Sequence, residues 1–172
     1  MVRININTND KSEAFKEVEN YLTSQGFKIV DSDIKRPWGF YFYVNEKQTD
    51  KFIAFFYSGV SLDSIDTSLP LQPKILVFEP GKKNSWQYHH RRAEIWRCLS
   101  KDCQVLMSQD DKEPKPTIIK NSEVVNFAQG TRHRGGGIDN WAVVAEIWQH
   151  TDPKNPSDEA DIIRLQDDFG RK

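Results

Sequence analysis

The sequence predicts an all-β protein: a closed or nearly closed barrel or jelly roll of about ten short strands, with one helix near the N-terminus. Aromatic residues make up 12% of the chain, and the β-prone residues valine, isoleucine, phenylalanine, tyrosine and tryptophan gather in short runs. The 172 residues suffice for a single domain with one sizeable core. A small barrel of this kind has a mouth that holds one small ligand.

The predicted helix spans about residues 11–25. Asp10 precedes Glu13 by three positions, which is the spacing of a helix-capping box. Apolar residues then recur at helical spacing: Ala14, Phe15, Val18, Tyr21 and Leu22. Gly26 ends the run. The helix is therefore amphipathic, and we expect its apolar face to cover one side of the barrel or to pack in a dimer.

Runs of β-prone residues separated by turn-forming residues predict the strands. The predicted strands are residues 27–30, 40–44, 51–57, 74–78, 86–98, 103–107, 117–120, 122–127 and 141–148. The C-terminal stretch from residue 157 onwards mixes apolar and acidic residues, and it is either a short strand or one helical turn.

Two internal stretches are predicted to be loops. Residues 58–73 are polar, contain two prolines and lack a clear period. Residues 130–137 include three consecutive glycines, which favour backbone freedom and supply no side chains that could pack in a strand.

Charge and hydropathy exclude several classes of partner. The formal net charge is −1 and the chain has no basic tract, so we expect no nucleic-acid partner. No apolar run approaches the 18 residues or so of a membrane span, and the first residues lack the apolar core of a secretory signal. We therefore expect a cytoplasmic protein, in which Cys98 and Cys103 are free thiols.

Residues 80–98 contain the residue types of a metal site. Alternate side chains of a strand share a face, so Gln87 and His89 point the same way, while His90 points away as a candidate substrate-binding group. A turn or bulge after His89 would return Glu94 to the same interior. His133, beyond the turn at Gly130, is the candidate for a fourth ligand.

Imidazole, carboxylate and amide ligands suit a borderline divalent cation, with zinc as the first expectation and manganese, iron or nickel as alternatives. The competing interpretation is that His89 and His90 are surface or hydrogen-bonded histidines beside the basic pair Arg91 and Arg92.

Four motifs, in order along the chain, resemble one family. PGKKNSWQYHHRRAEIW at residues 80–96 resembles the first cupin motif of the type II phosphomannose isomerases, and RPWGFY at 36–41 resembles the opening of that domain. AEIWQH at 145–150 and DIIRLQDDFGR at 161–171 resemble its closing strings. The resemblance covers about residues 35–171.

The resemblance implies a cupin fold, a double-stranded β-helix or jelly-roll barrel at residues 35–172, with residues 1–34 as an N-terminal helical extension packed on it. In many members of the family this domain is the C-terminal half of a bifunctional mannose-1-phosphate guanylyltransferase. The implied metal ligands are Gln87, His89, Glu94 and His133. Arg92 and Arg164 are implied to line the sugar-phosphate site.

The implied activity is interconversion of mannose 6-phosphate and fructose 6-phosphate, an aldose–ketose isomerisation through an enediolate. Glu146 is the candidate base, although a buried, salt-bridged carboxylate is an alternative reading of it, and Arg164 suits developing negative charge. Two other functions remain open: isomerisation or epimerisation of another phosphosugar, such as a heptose phosphate, and non-catalytic binding of a sugar or metal. We also expect a homodimer, formed through the helix at 11–25 and the loop at 58–73.

Overall fold

The computed structural model describes residues 2–61 and 65–171. Two α-helices are α1, Lys11–Ser24, and α2, Thr49–Phe56, the second of which follows a short 3-10 turn at Glu46–Gln48. The strands are β1 Ile29–Asp33, β2 Gly39–Val44, β3 Leu71–Phe78, β4 Trp86–Tyr88, β5 Arg92–Cys98, β6 Asp102–Ser108, β7 Thr117–Lys120, β8 Val124–Phe127, β9 Arg132–Gly136, β10 Ala142–His150 and β11 Ile163–Gln166.

These strands form two antiparallel sheets. The six-stranded sheet has the order β1-β2-β3-β10-β5-β8, and the five-stranded sheet has the order β11-β4-β9-β6-β7. Interior residues of the two sheets pack together: Phe78 and Trp96 of the larger sheet lie in one cluster with Cys103 and Val105 of the smaller. The result is the jelly-roll barrel that the sequence predicted.

Both faces of the six-stranded sheet are buried in its middle. In β10 all nine residues are buried, and odd-numbered members such as Val143 and Ile147 join the core cluster beneath the two helices. Even-numbered members such as Val144 face the barrel interior. A strand covered on both faces reads as a continuous apolar run rather than an alternating one.

Helix α1 forms as predicted, because the side chain of Asp10 accepts a hydrogen bond from the amide of Glu13 at 2.9 Å. Ala14, Val18 and Leu22 are buried against the larger sheet. The division of the chain at residues 34 and 35 stays a prediction.

The strand predicted at residues 51–57 is wrong, because this segment forms α2. A strand would place Phe52, Ala54 and Phe56 on one face, yet Ala54 is exposed while Phe52, Ile53 and Phe56 are buried together. An apolar run of this length fits a buried strand or a buried helix equally well, and packing over the sheet decides for the helix.

The loop predicted at residues 130–137 is also wrong in its middle, where β9 pairs with β6. A Cβ atom on Gly135 would lie 2.5 Å from Cζ3 of Trp96 and 2.9 Å from Cζ of Phe78. Glycine is required here because the two sheets approach closely, so its weak strand propensity does not decide the local structure.

Smaller differences concern the ends of strands. β3 begins at Leu71, so the predicted loop at 58–73 ends earlier, and residues 62–64 of that loop lie outside the described residues. Residues 89–91 interrupt the strand predicted at 86–98. The C-terminal stretch contains the short strand β11. Both cysteines are free, as predicted, and both are buried. No helix in the described ranges is long and apolar enough to cross a membrane.

Two substitutions in α2 test the helix against the strand. Ala54→Lys should change the free energy of unfolding by less than about 0.5 kcal/mol, because the side chain points to solvent. Phe56→Ala should lower it by about 3–5 kcal/mol, because Phe56 is fully buried and its ring stacks on Phe27 at 5.3 Å. Urea unfolding measures both, and a large loss for Ala54→Lys would argue for the strand.

Candidate metal centre

Three predicted ligands meet between the sheets. His89 follows β4, Glu94 lies in β5 and His133 lies in β9, and one ligand atom from each lies within 4.8 Å of the others. All three side chains are 2% exposed. β4 belongs to the smaller sheet and β5 to the larger, so the break at 89–91 carries the chain across the barrel and makes the two elements face each other.

Backbone carbonyls fix the orientation of both imidazoles. Nδ1 of His133 lies 3.0 Å from the carbonyl oxygen of Thr131, and Nδ1 of His89 contacts the carbonyl oxygen of Asp161. Because a carbonyl only accepts, each Nδ1 carries a proton, and Nε2 is the ring atom that each histidine turns towards the centre. This arrangement is typical of metal-binding histidines.

The ligand atoms of the centre lie close to one another. Nε2 of His133 lies 3.2 Å from Oε2 of Glu94 and is buried, with no hydrogen-bond partner in the described part of the chain. Nε2 of His89 lies 3.3 Å from Oε1 of Glu94. Burial, with further effects of its charged neighbours, lowers the pKa of His89 to about 3, so its imidazole is neutral. Two imidazoles and one carboxylate form a donor set that fits a divalent cation.

Gln87 lies beside the three ligands. Its Nε2 is 3.3 Å from Nε2 of His89, and its Oε1 accepts a hydrogen bond from the hydroxyl of Ser85. Rotation of the amide by half a turn exchanges these atoms and presents the oxygen to the centre. The structure therefore brings together all four residues predicted to bind metal.

Arg92 contacts the ligands as well as the cavity. Its Nε donates to Oε1 of Glu94 at 2.7 Å, Nη2 lies 3.0 Å from Nε2 of His89, and the guanidinium stacks on Trp148 at 3.5 Å. Burial alone would raise the pKa of Glu94. His133, Arg92 and His89 outweigh it and hold that pKa well below the usual range, so the carboxylate is charged.

Glu146 stands next to the centre on the interior face of β10. The single indole N–H of Trp96 is shared between Oε2 of Glu94 at 3.0 Å and Oε1 of Glu146 at 2.8 Å. Burial and the charge of Glu94 raise the pKa of Glu146 to about 8, although Lys74 and Arg92 oppose the rise. Nζ of Lys74 lies 4.0 Å from its Oε2. This carboxyl can exchange a proton near neutral pH.

One cavity is lined by both carboxylates, and its other walls are rich in cations. The lining cations are Arg36, Lys74, Arg92, Arg164 and Arg171. Arg164, predicted for a sugar-phosphate site, is among them. His90 does not line this cavity: it is exposed, and its ring packs on Tyr88 at 5.2 Å. The break after His89 turns the side chain of His90 outwards, so the structure does not support the predicted contact between His90 and the substrate.

Sequence reasoning missed Lys74 and Trp96. Both lie on the interior face, because β10 pairs Glu146 with Lys74 on one side and with Trp96 on the other. A lysine in a run that is otherwise apolar was the available indication for Lys74. The signal for Trp96 was its spacing of two from Glu94, which places both on one face of β5.

No protein-family model matches the chain. Xanthan biosynthesis protein XanB of Xanthomonas campestris is 24% identical over 164 residues, covering 94% of this chain and 29% of the relative. Mannose-1-phosphate guanylyltransferase of Salmonella montevideo is 26% identical over 166 residues, covering 96% and 29%. Alginate biosynthesis protein AlgA of Pseudomonas aeruginosa is 28% identical over 169 residues, covering 94% and 28%. The chain thus spans less than a third of these relatives.

Among solved structures, a mutant of Bacillus subtilis oxalate decarboxylase matches with a TM-score of 0.54 over 78% of this chain and 30% of that chain, at 12% identity. A likeness at this identity concerns the fold alone. It agrees with the two-sheet architecture, and the predicted cupin fold with an N-terminal helix is confirmed.

Removal of both imidazoles tests the centre. The double variant His89→Ala, His133→Ala should lose its bound divalent metal, because only Glu94 and Gln87 of the four ligands remain. His90→Ala, on the exposed neighbour, is the matched control and should keep the wild-type content. Elemental analysis of the purified protein measures both, and unchanged metal in the double variant would refute the site.

Glu146 gives a pH-dependent test in metal-free protein. With its pKa raised from 4.5 to about 8, the folded state holds a proton that the unfolded state releases between those pH values. A rise in pH therefore lowers the free energy of unfolding, because Glu146 has to lose its proton in the buried site. Glu146→Gln should be more stable than the wild type at pH 8, and this advantage should shrink towards pH 5. Urea unfolding at both pH values measures it, and a pH-independent difference would contradict the raised pKa.

Proposed function

We propose that this protein is a metal-dependent isomerase of a phosphorylated sugar, and that mannose 6-phosphate and fructose 6-phosphate are its substrate pair. The observation that carries the proposal is the pairing of Glu146 with Glu94 through Trp96, which puts a proton-exchanging carboxyl beside a candidate metal ligand. The match to a protein named mannose-1-phosphate guanylyltransferase supports a mannose phosphate as ligand.

His89, Glu94 and His133, with Gln87, would hold the metal ion. Zinc is the first choice, and manganese, iron or nickel also suit nitrogen and oxygen ligands. When bound, a divalent cation supplies positive charge that stabilises the negative charge developing on the sugar oxygens.

Glu146 is the proposed base. Aldose–ketose isomerisation removes a proton from the carbon next to the carbonyl and returns one to the neighbouring carbon. A carboxyl with a pKa of about 8 is suited to both steps, because near neutral pH it is neither a very weak base nor a very weak acid. The hydrogen bond from Trp96 holds Oε1, which leaves Oε2 as the atom that carries the proton.

The cations of the cavity bind and orient the substrate. Arg92 is held in place by Trp148 and by hydrogen bonds to Glu94 and Ser157, so its guanidinium is preorganised. Arg92 and Arg164 would meet negatively charged oxygens, which a guanidinium binds through two parallel hydrogen bonds. The predicted homodimer and cytoplasmic location stay part of the proposal, and light scattering tests the first.

Incubation with mannose 6-phosphate in deuterium oxide tests the chemistry. The metal-loaded protein should convert it to fructose 6-phosphate and introduce deuterium at the exchanging carbon. Glu146→Gln should lower kcat by about 10²–10⁴-fold, because it cannot exchange the proton. Glu79→Gln is the matched control, since Glu79 pairs with Lys11 and Lys82 away from the cavity. Equal activity of both variants would exclude Glu146 as the base.

A panel of other phosphosugars separates the remaining functions. Deuterium exchange into a different phosphosugar, with none into mannose 6-phosphate, would identify that phosphosugar as the substrate of the same isomerisation chemistry. Metal and sugar phosphate bound without exchange on any of them would contradict the isomerase and leave a binding protein.

A further inference from the structure

A carboxylate from a surface segment reaches into the cationic wall of the cavity. Residues 151–162, which we call the strap, connect β10 to β11. From the strap, Glu159 accepts a hydrogen bond from Nζ of Lys74 at 2.7 Å and another from the hydroxyl of Tyr43. Nη2 of Arg36 lies 3.4 Å from its second oxygen. Three donors therefore converge on one carboxylate.

The cation at the centre of this group is buried and fixed by the sheet. Lys74 pairs with Tyr43 in β2 and with Glu146 in β10. Its Nζ lies 4.2–4.6 Å from the ring centroids of Tyr41, Tyr43 and Trp148, and its side chain is 6% exposed. Among the described residues Glu159 is its closest ion-pair partner, because the oxygen of Glu146 is 4.0 Å away.

The anion, in contrast, comes from the surface. The side chain of Glu159 is 42% exposed although three buried or half-buried groups hold its carboxylate. Burial alone would raise its pKa, yet Lys74, Tyr43 and Arg36 lower the pKa to about 2, so the group is charged at every physiological pH. Lys74 and Tyr43 lie on strands and Arg36 lies in the turn before β2, whereas the acceptor is an exposed side chain of the strap.

The strap itself is anchored on both sides of Glu159. The carboxylate of Asp161 accepts hydrogen bonds from the amides of His90 and Arg91 at 3.0 and 2.9 Å. The amide of Ser157 donates to Nδ1 of His150 at 3.0 Å. Glu159 can therefore leave its donors by turning its side chain outwards, without opening the strap.

We propose that Arg36, Tyr43 and Lys74 form a binding subsite for the phosphate group of a phosphate monoester, and that Glu159 fills this subsite as a built-in competitor while no ligand is bound. A phosphate offers three acceptor oxygens and up to two negative charges to the same donors, so it competes effectively with one carboxylate. The inference rests on the proposed function, because it assigns the phosphate of the sugar to the end of the cavity beyond Glu146.

Phosphate binding without turnover tests the subsite. Calorimetric titrations of the chelator-treated full chain would use inorganic phosphate, mannose 6-phosphate and unphosphorylated mannose. Glu159→Gln should bind both phosphates about tenfold more tightly, because it removes the competing charge, and should leave mannose unchanged. Asp158→Asn is the matched control, since it makes the same charge change on the strap where the carboxylate pairs with Arg91. It should behave as the wild type.

Two further variants address the donors. Lys74→Met should weaken phosphate binding at least about tenfold, and Tyr43→Phe, which removes one hydroxyl from an intact ring, should weaken it several-fold. Tyr43→Phe keeps the test decisive if Lys74→Met fails to fold. Tighter binding of inorganic phosphate alone, or of both phosphates, by Glu159→Gln supports the subsite.

Several outcomes would overturn the inference. Phosphate binding by Glu159→Gln no tighter than by Asp158→Asn would do so, as would equal tightening for unphosphorylated mannose, which indicates a loosened cavity. Unchanged phosphate binding by Tyr43→Phe would remove that donor and with it the three-donor subsite. The proposed function fails separately: phosphate binding as predicted, with no sugar phosphate isomerised, overturns only the isomerase, whereas turnover with no effect of Glu159→Gln overturns only the subsite.

Discussion

Side-chain alternation across the middle of the six-stranded sheet is the constraint on which the rest of the structure depends. In β2, β3, β10 and β5 one set of side chains packs beneath the helices and the other faces the barrel interior. The pairing of Glu146 with both Lys74 and Trp96 holds these strands in register. A slip of one residue would exchange the faces, placing Glu146 in the apolar core under the helices and Val143 or Ala145 in the cavity.

This register separates the charged groups of the barrel interior into two ends. The imidazoles of His89 and His133 and the ionised Glu94 occupy one end, and Lys74 and Arg36 occupy the other, with Glu146 between them. Buried charges are stable only when each has a partner. Arg92 supplies that partner for Glu94, and Glu159 supplies it for Lys74, so the charges at both ends of the cavity are balanced.

Trp96 contributes both to the packing of the barrel and to the candidate site. Its ring fills the space between the sheets, close enough to Gly135 to require a glycine there. Its N–H couples the two carboxylates. Because the ring is packed on Phe127 and Phe78, the donor cannot move away, and the spacing of Glu94 and Glu146 is fixed before any ligand enters.

The sequence by itself determined the features that depend on neighbours in the chain: the capped helix α1, the shared face of Gln87 and His89, and the fold class. It misassigned 51–57 as a strand and 130–137 as a loop, because tertiary packing decided the local structure there, at Phe56 and at Gly135. Tertiary structure alone decided that Lys74 joins the cavity and that Glu159 meets it. Those contacts link residues as far as 85 positions apart, and local periodicity carries no information about which distant strand or loop will lie opposite.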